Sequence, residues 1–176
     1  QPAATILTTN GTRDPGGANT AELAAAARFL AVWLEQQATL NHRPSIGFLS
    51  PFRDQVDALP AALEQHLSHN QIARLFHAHD FIAATAHGFQ GDERDVMVIS
   101  LAITPTCPAA SRMFLERPDV FNVSITRARD HVVVVRSLSS SDLPADSLLR
   151  EWLLDLETPP PPPPPPVPDP FQPNFA

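Results

Sequence analysis

Residues that could do chemistry are concentrated in three segments of this chain. The first, 46–55 (IGFLSPFRDQ), sets a Ser-Pro pair after an apolar run, and the second, 84–100, joins a glycine-containing turn to a run of four charges. The third, 121–129, ends with Arg127 and Arg129. An arginine keeps its positive charge and offers a fork of N–H donors, so these two side chains suit phosphate or carboxylate groups. The three segments are therefore the candidates for a functional site.

The absence of lysine excludes one kind of phosphate site. All 12 basic residues of the chain are arginine. The phosphate-binding loop of nucleotide hydrolases ends in Gly-Lys-Ser/Thr, where the lysine places a point charge on the outer phosphates. This chain therefore contains no such loop. Its net charge of -7 also argues against a surface that grips phosphates everywhere, so any contact with nucleic acid has to be local.

Short apolar runs alternate with longer helical patterns, which predicts an α/β domain with a largely parallel sheet. The predicted strands cover 5–8, 46–49, 80–85, 96–101 and 132–135. The last two, VMVISL and VVVV, are near-continuous apolar runs. Such runs are typical of parallel strands that are covered on both faces.

Four helices are predicted around these strands. The first begins at Asn19 and ends near Leu40, and the second runs from Ser50-Pro51 through Leu59. The third covers about 121–128 and the fourth covers 146–156. Asn19 has the character of an N-cap, with Glu22 three residues later as in a capping box. Pro60 is expected to kink or split the second helix.

The chain divides into a domain, 1–157, and a proline-rich tail, 158–176. The tail begins with the eight prolines Pro159–Pro166, which favour an extended polyproline II conformation and predict a disordered tail without sheet or helix. Such a tail is either a stiff spacer or the ligand of a proline-recognising partner.

The remaining composition argues for an intracellular protein. Cys107 is the single cysteine, so the chain has no intrachain disulfide and no thiolate metal site, and no metal is predicted. There is no signal-peptide pattern and no apolar run long enough for a membrane helix, so no membrane contact is expected. The expected compartment is the cytoplasm, or the nucleus in a eukaryote.

The three segments resemble, in the same order, motifs IV, V and VI of superfamily 1 helicases. Segment 46–55 is similar to the pattern I-G-hydrophobic-hydrophobic-T/S-P-Y-x-x-Q, segment 84–100 to S-F-Q-G-x-E-x-D-hydrophobic, and segment 121–129 to N-V-A-hydrophobic-T-R-A-R. The sequence NTAE at 19–22 also resembles the family's N-x-x-E-A element. The resemblance covers about 5–137 and is closest to the subgroup that includes the RNA-surveillance helicases and senataxin.

This resemblance implies the second, C-terminal RecA-like motor domain of such a helicase. The implied fold is a three-layer α/β domain with a mainly parallel central sheet, a P-loop NTPase fold without its own P-loop. The sequence departs from the family at Phe121, where leucine is usual, at Ser124, where alanine is usual, and around 102–104, where an arginine is common. Walker A and Walker B elements are absent, so the chain is expected to be a fragment of a longer protein.

The resemblance implies a set of nucleotide-facing residues. Arg127 matches the family's arginine finger, and the alternative is that Arg127 or Arg129 pairs with Asp130 or Glu93 on the surface. Glu93 matches a carboxylate that binds the ribose hydroxyls, or else belongs to a solvated charge run. Gln90 and Gly91 match positions near the phosphates, although Gly91 is equally well explained as a turn glycine. Arg129 is a further candidate for a contact with the nucleotide.

The resemblance also implies a nucleic-acid track at the other side of the glycine-containing turn. Thr85, His87, Ser50 and Pro51 match positions that face the single strand in relatives. Hydroxyl and backbone N–H groups, rather than a basic patch, would grip it. His87 could stack on a base or reach a phosphate, or it could be structural.

Two functions follow for the parent protein. The first is an ATP-driven 5′-to-3′ translocase on single-stranded DNA or RNA, with ATP and Mg²⁺ bound mainly by an N-terminal RecA-like domain. The fragment alone would then be inactive. The alternative is a non-catalytic module, derived from a helicase lobe, that binds nucleic acid or protein.

Overall fold

A computed structural model describes residues 2–39 and 42–158 of the chain. The strands in these residues are β1 (Ala3–Thr8), β2 (Ile46–Leu49), β3 (Ile82–Ala84), β4 (Arg94–Ser100) and β5 (Ala128–Arg136). They form a five-stranded, all-parallel sheet in the order β1-β5-β4-β2-β3. The predicted parallel sheet is therefore confirmed, with β4 at its centre.

Helices cover both faces of the sheet. They are α1 (Thr20–Gln37), α2 (Arg53–His66), α3 (His69–Ala78), α4 (Ala109–Leu115), α5 (Pro118–Ile125) and α6 (Leu148–Glu157). Short 3₁₀ helices occupy Ala86–Phe89 and Ser140–Asp142. Among the described residues, no helix is long and apolar enough to cross a bilayer.

The central strands supply side chains to two separate cores. Val96 and Val98 of β4 point into a core with α1, α2 and α3, whereas Met97 and Ile99 point into a second core with α4, α5 and α6. Successive side chains of a strand lie on opposite faces, so a strand covered on both sides needs apolar residues at every position. The arrangement is the predicted three-layer α/β fold, consistent with a RecA-like P-loop NTPase.

Several predicted boundaries are wrong. The helix predicted over about 121–128 is α5, which begins at Pro118, because a proline is favourable in the first helical turn. Ala128 already belongs to β5, which pairs Ala128 with Arg94 and so begins earlier than the apolar run suggests. The predicted strand 80–85 is shortened to β3, and α1 ends at Gln37.

Pro60 does not divide the second helix. α2 runs without interruption through Pro60, which is solvent-exposed. Two helices, α3 and α4, were not predicted, because each buries only one residue fully, Leu75 in α3 and Leu115 in α4. A helix with so little apolar surface has a weak periodic signal. α3 is instead marked at its start by a capping box between Ser68 and Gln71.

Candidate functional site

The parallel sheet separates the predicted site residues into two sets. The strands all run in one direction, so their amino ends form one edge of the sheet, the amino-end edge, and their carboxyl ends form the opposite one, the carboxyl-end edge. Residues at or leading into the amino-end edge are Gln90, Gly91, Glu93, Arg127 and Arg129. Residues that directly follow β2 and β3 at the carboxyl-end edge are Ser50, Pro51, Thr85 and His87. The connection 85–93 joins the two edges.

Arg127 lies between the end of α5 and the start of β5. Its backbone oxygen accepts from the Arg94 N–H at 3.0 Å, which fixes the chain where β5 begins beside β4. Its guanidinium donates to the Val123 carbonyl and to Thr126 Oγ1, both at 3.2 Å. Among the described residues no carboxylate forms an ion pair with Arg127, which is half-buried. A guanidinium has five N–H donors, so donors remain for another group.

Arg129, in contrast, is neutralised by the domain itself. Its Nε lies 3.3 Å from Glu93 Oε2 and its Nη1 lies 3.5 Å from Asp95 Oδ1. The hydrogen bond to Glu93 raises the pKa of Arg129 further above its ordinary value, with smaller effects from burial and Asp95. The surface pairing considered for either arginine therefore involves Arg129 and Glu93. It does not involve Arg127.

Asp95 connects this charge cluster to the neighbouring strand. Its Oδ2 accepts from the Ser45 N–H at 2.7 Å and from the Ser45 hydroxyl at 2.8 Å. Burial opposes ionisation of Asp95, but the bonds from Ser45, together with Arg129, hold its pKa below the usual value. The carboxylate is therefore charged at neutral pH and holds Arg129 against the sheet.

The turn before β4 leaves space around a glycine. Gly91 has a φ of +84°, and a Cβ built on it would meet no atom within 4 Å. Gln90, just before it, is exposed, and its backbone N–H donates to the His87 carbonyl at 3.3 Å. The buried guanidinium of Arg94 anchors the turn through ion pairs with Asp92 at 2.6 Å and Asp80 at 3.5 Å. Sequence reasoning did not single out Arg94.

Three of the four residues at the carboxyl-end edge line one groove of about 540 Å³. Pro51, Thr85 and His87 are joined there by the rings of Phe52 and Phe114, whose centroids lie 5.8 Å apart at a tilt of 41°. The walls also include Arg53, Ala86, Ala110, Ser111 and Val120. The Arg13 guanidinium lies over the Phe52 ring at 4.1 Å and supplies positive charge at this edge. We call this space the groove.

Ser50 lies beneath the groove and does not line it. It is fully buried, and its hydroxyl accepts from the Phe52 N–H at 3.3 Å. The hydroxyl therefore shapes the turn that presents Pro51 and Phe52. Direct contact of Ser50 with a ligand would require this turn to open.

Comparison with known proteins assigns the chain to a family. A family model described as "AAA domain" matches residues 7–139. The chain belongs to this AAA domain family. DNA polymerase alpha-associated DNA helicase A of Saccharomyces cerevisiae is 30% identical over 108 residues, which make up 61% of this chain. The match spans 14% of the length of the yeast protein. Together these matches support a superfamily 1 helicase-like domain.

The AAA domain also contains a buried polar network that sequence reasoning interpreted differently. Asn19 caps α1 as predicted, since its side chain accepts from the Glu22 N–H at 3.2 Å. The Glu22 carboxylate, however, does not complete a capping box. It accepts from Asn19 Nδ2 at 3.2 Å, from Ser100 Oγ at 2.7 Å and from the Ala102 N–H at 2.8 Å. The Asn19 N–H donates instead to Gln55 Oε1 at 2.7 Å.

Burial changes the acidity of Glu22. The side chain is fully excluded from solvent, and this desolvation raises its pKa to about 7, although the hydrogen bonds from Ser100 and Ala102 act in the opposite direction. Asn19, Glu22 and Gln55 all belong to the motif segments, but the spacing alone suggested only a helix cap. Their clustering depends on how α1, α2 and β4 pack.

The histidines of the AAA domain hold no metal cluster within the described residues, where no group of three potential ligands converges. His66, His69 and His77 lie at or near the surface. His79 is the C-cap residue of α3. His79 is buried, its Nδ1 lies 2.9 Å from the Pro44 carbonyl, and its ring packs edge-on against Trp33 at 4.9 Å.

Proposed function

We propose that this AAA domain is the C-terminal motor lobe of a superfamily 1 helicase of the RNA-surveillance and senataxin subgroup. In this proposal the amino-end edge completes an ATP site of the N-terminal lobe of the same protein, and the carboxyl-end edge binds single-stranded DNA or RNA. The order of the three motif segments and the similarity to a yeast DNA helicase support it. The separation of the two residue sets supports it further, because one sheet presents them at opposite edges.

The observation that carries the proposal is the contrast between the two arginines of segment 121–129. Arg129 is held by Glu93 and Asp95, whereas Arg127 has no carboxylate partner among the described residues. A charge that folding leaves without a partner is available to stabilise negative charge brought by a ligand. Arginine fingers act in this way on a phosphoryl group held by another lobe or subunit.

The residues around Arg127 have the chemistry that ATP requires. The Glu93 carboxylate is half exposed and can accept hydrogen bonds from ribose hydroxyls, and the open space at Gly91 allows a ligand to approach the backbone. Gln90 and Arg129 provide further polar groups for the nucleotide at this edge. ATP with Mg²⁺ would be held mainly by the other lobe, because this chain has no P-loop lysine. The nucleotide supplies the phosphoryl group whose charge Arg127 stabilises.

The groove at the carboxyl-end edge has the chemistry of a single-strand track. Phe52, Phe114 and His87 provide rings against which bases can stack, and Thr85 provides a hydroxyl for the backbone. Arg13 gives local positive charge to a chain whose net charge is -7, whereas Arg53 is paired with Asp57 at 3.0 Å. Stacking tolerates any base, which suits a motor that moves along a strand.

The expected proline-recognising partner would bind residues that the structure does not describe. The proline run Pro159–Pro166 lies outside the described residues, and its recognition by a proline-binding partner remains a proposal based on the sequence. The predicted disordered tail lies outside them too.

Substitution of Arg127 tests the proposed function. In the full-length protein, Arg127→Ala should lower the ATP turnover rate by roughly 10³ or more while leaving nucleotide affinity within a few-fold. Turnover should be measured at saturating ATP and affinity by equilibrium binding. Arg28→Ala is a matched control, because Arg28 is exposed on α1 and forms no ion pair with a described residue.

Two results would contradict the proposal. If Arg127→Ala weakens binding but turnover at saturation is intact, Arg127 only holds the ground state. If the wild-type full-length protein binds single strands without hydrolysing ATP, the alternative of a non-catalytic module is correct.

A further inference from the structure

The segments that build the groove converge on one buried carboxylate. The groove is lined by Phe52 from the turn before α2, by Phe114 from α4, and is extended by Arg13 from the loop before α1. Glu22 bonds directly to Ala102 in the loop between β4 and α4, and to Asn19 and Ser100. Asn19 and Ser100 in turn bond to Gln55 of α2, and Asn19 follows the loop before α1. No role in ligand binding was expected of Glu22, since its spacing from Asn19 suggested a helix cap.

The first connection leads to α2. Gln55, in the first turn of α2, is fully buried and is held on both sides of its amide. Its Oε1 accepts from the Asn19 N–H at 2.7 Å, and its Nε2 donates to the Asn19 carbonyl at 3.2 Å and to Ser100 Oγ at 2.8 Å. Asn19 and Ser100 are in turn the hydrogen-bond partners of Glu22. The carboxylate therefore fixes the residue that orients the start of α2.

The second connection leads to the loop after β4. Ala102 has a φ of +51°, in the left-handed region that residues with a Cβ rarely adopt. Its N–H donates to Glu22 Oε2 at 2.8 Å. Non-glycine residues persist in this conformation only where their surroundings impose it. The Glu22 carboxylate is the group that binds this N–H, and the chain continues from Ala102 to α4 and Phe114.

The third connection leads to the loop before α1. Asp14 holds this loop closed, because its carboxylate accepts from the Ala18 N–H at 3.1 Å and its own N–H donates to the Ala18 carbonyl at 2.8 Å. Arg13 donates to the Gly17 carbonyl at 2.8 Å and lies over Phe52. Asn19, which directly follows Ala18, is bound by Glu22. The position of the Arg13 guanidinium thus depends on where α1 begins.

We propose that Glu22 is a positioning residue for nucleic-acid binding, because its carboxylate sets the relative positions of the turn before α2, the loop before α4 and Arg13. This inference rests on the proposed function of the groove. Glu22 itself does not reach the groove, so it acts on a bound strand only through the segments it holds.

The chemistry of the carboxylate makes this role dependent on protonation. The Asn19 amide, the Ser100 hydroxyl and the Ala102 backbone N–H all donate hydrogen bonds to Glu22, which an ionised carboxylate accepts fully. A protonated carboxyl must itself donate, so one of these donors loses its acceptor. Because burial raises the pKa of Glu22 to about 7, this exchange occurs near neutral pH.

Few other charges act on Glu22. Arg13, from the loop before α1, is the charged group that favours its ionised form. The groups that bond to it from the end of β4, from the loop after β4 and from the segment after β5 are neutral: Ser100, the Ala102 backbone and Ser137. Gln55 of α2, which reaches Glu22 through Ser100, is neutral as well. A pH effect that disappears with Glu22 can therefore be assigned to this carboxyl.

Glu22→Gln tests the proposal. A glutamine can still accept from Ser100 and Ala102, but its NH₂ group then faces the NH₂ group of Asn19, so that contact is lost. In the full-length protein, fluorescence anisotropy with labelled oligo(dT) and oligo(U) should show affinity weakened roughly tenfold near pH 8.5, the effect of one buried hydrogen bond. Near pH 6, where wild-type Glu22 is mostly protonated, the two proteins should differ by only about twofold. Ser100→Ala should weaken binding in the same direction.

Leu75→Val is the matched control for a purely structural effect. Leu75 is fully buried in α3, in the core formed with α1 and α2, and it does not line the groove. It should lower the melting temperature without changing oligonucleotide affinity. If Leu75→Val weakens affinity as much as Glu22→Gln does, or if the ratio of affinities is the same at both pH values, the positioning role is wrong.

His87→Ala separates this inference from the proposed function. If His87→Ala weakens binding and Glu22→Gln does not at any pH, the groove binds nucleic acid but Glu22 does not position it. If the wild-type protein binds neither oligonucleotide, the proposed function fails and the inference fails with it.

Discussion

The paired side chains Arg129 and Glu93 at the amino-end edge are charged and partly exposed, whereas the polar network behind the groove at the carboxyl-end edge is buried. The Arg129 and Glu93 side chains are 55% and 50% exposed. Asn19, Glu22, Gln55 and Ser100 are all fully excluded from solvent. The two edges of one sheet thus carry two kinds of polar group, one exposed and one buried.

The difference shows what each edge can contribute. Exposed ion pairs add little to stability, so the residues of the amino-end edge can exchange partners at low cost when a charged ligand arrives. A buried network is costly to disturb, because any donor or acceptor that loses its partner stays desolvated. The amino-end edge is therefore suited to transient electrostatic contacts, and the carboxyl-end edge to fixed geometry.

The largest expected effect concerns whether the amino-end edge suffices for catalysis. The purified chain should show no steady ATP hydrolysis and bind ATP weakly if at all, because it has no P-loop lysine to hold the phosphates. Phosphate release should be measured against the Arg127→Ala chain purified in parallel, which controls for contaminating ATPases. Turnover that is present in the wild-type chain and lost in this variant would show that the edge is a complete site.

The second prediction concerns the cost of burying Glu22 at the carboxyl-end edge. The folded-state pKa of about 7 lies above the ordinary glutamate pKa of 4.5, so the stability that protonation contributes is complete below about pH 4.5 and is lost as pH rises through 7. The shift corresponds to at most about 3 kcal/mol. The stability of Glu22→Gln relative to wild type should therefore rise between pH 5 and about 8, as measured by urea unfolding.

Subtracting the two pH profiles is necessary, because other groups titrate in this range. Burial lowers the pKa of His79 and of His131, and these histidines contribute stability that is lost as pH falls through the ordinary histidine range. This effect is opposite in sign to that of Glu22 and is common to both proteins. A difference profile that is flat would mean that Glu22 stays ionised in the folded protein throughout.

A smaller effect is expected from the ion pair at the amino-end edge. Arg129→Ala removes a pair whose two side chains are about half exposed, so the melting temperature should change little. ATP turnover of the full-length protein should fall by only a few-fold, far less than for Arg127→Ala. If both variants lose turnover equally, the contrast between a paired and an unpaired arginine does not identify the finger.

Much of the fold could be predicted from the sequence, because both-sided burial leaves a clear signal. The runs around Val98 and Val134 are apolar at every position, which predicted central parallel strands. α3 and α4 bury too little apolar surface to produce a helical period. The extension of β5 back to Ala128 depends on pairing with Arg94, and such pairing is not visible in the segment's own composition.

For the candidate site, the sequence predicted which segments matter better than how their side chains are used. The resemblance placed Thr85 and His87 together, and both line the groove. It also placed Ser50 on the strand-facing surface, although the structure buries this residue. The hydrogen bonds of Glu22 depend on how three elements pack at the carboxyl-end edge. The spacing of residues along the sequence carries no information on this packing.

The smallest effect is expected from removing the residues after Glu157, which should leave both edges unchanged. A polyproline run makes no obligatory backbone hydrogen bonds, and the apolar area beyond it is limited to Val167, Phe171 and Phe175. Burying two phenylalanines against the domain would contribute about 3 to 6 kcal/mol before ordering costs. Ordering the whole tail costs about 1 kcal/mol or more per residue, which cancels this gain.

The truncated chain should therefore melt within about 2 °C of the intact chain. Oligonucleotide affinity and, in the full-length protein, ATP turnover should also be unchanged. A matched control is Phe171→Ala with Phe175→Ala, which removes the apolar anchors but keeps the prolines. If truncation and this double variant both lower the midpoint by several degrees, the phenylalanines pack on the domain. If only truncation changes the affinity, the proline run itself acts on the groove, and the contrast between the two edges must include it.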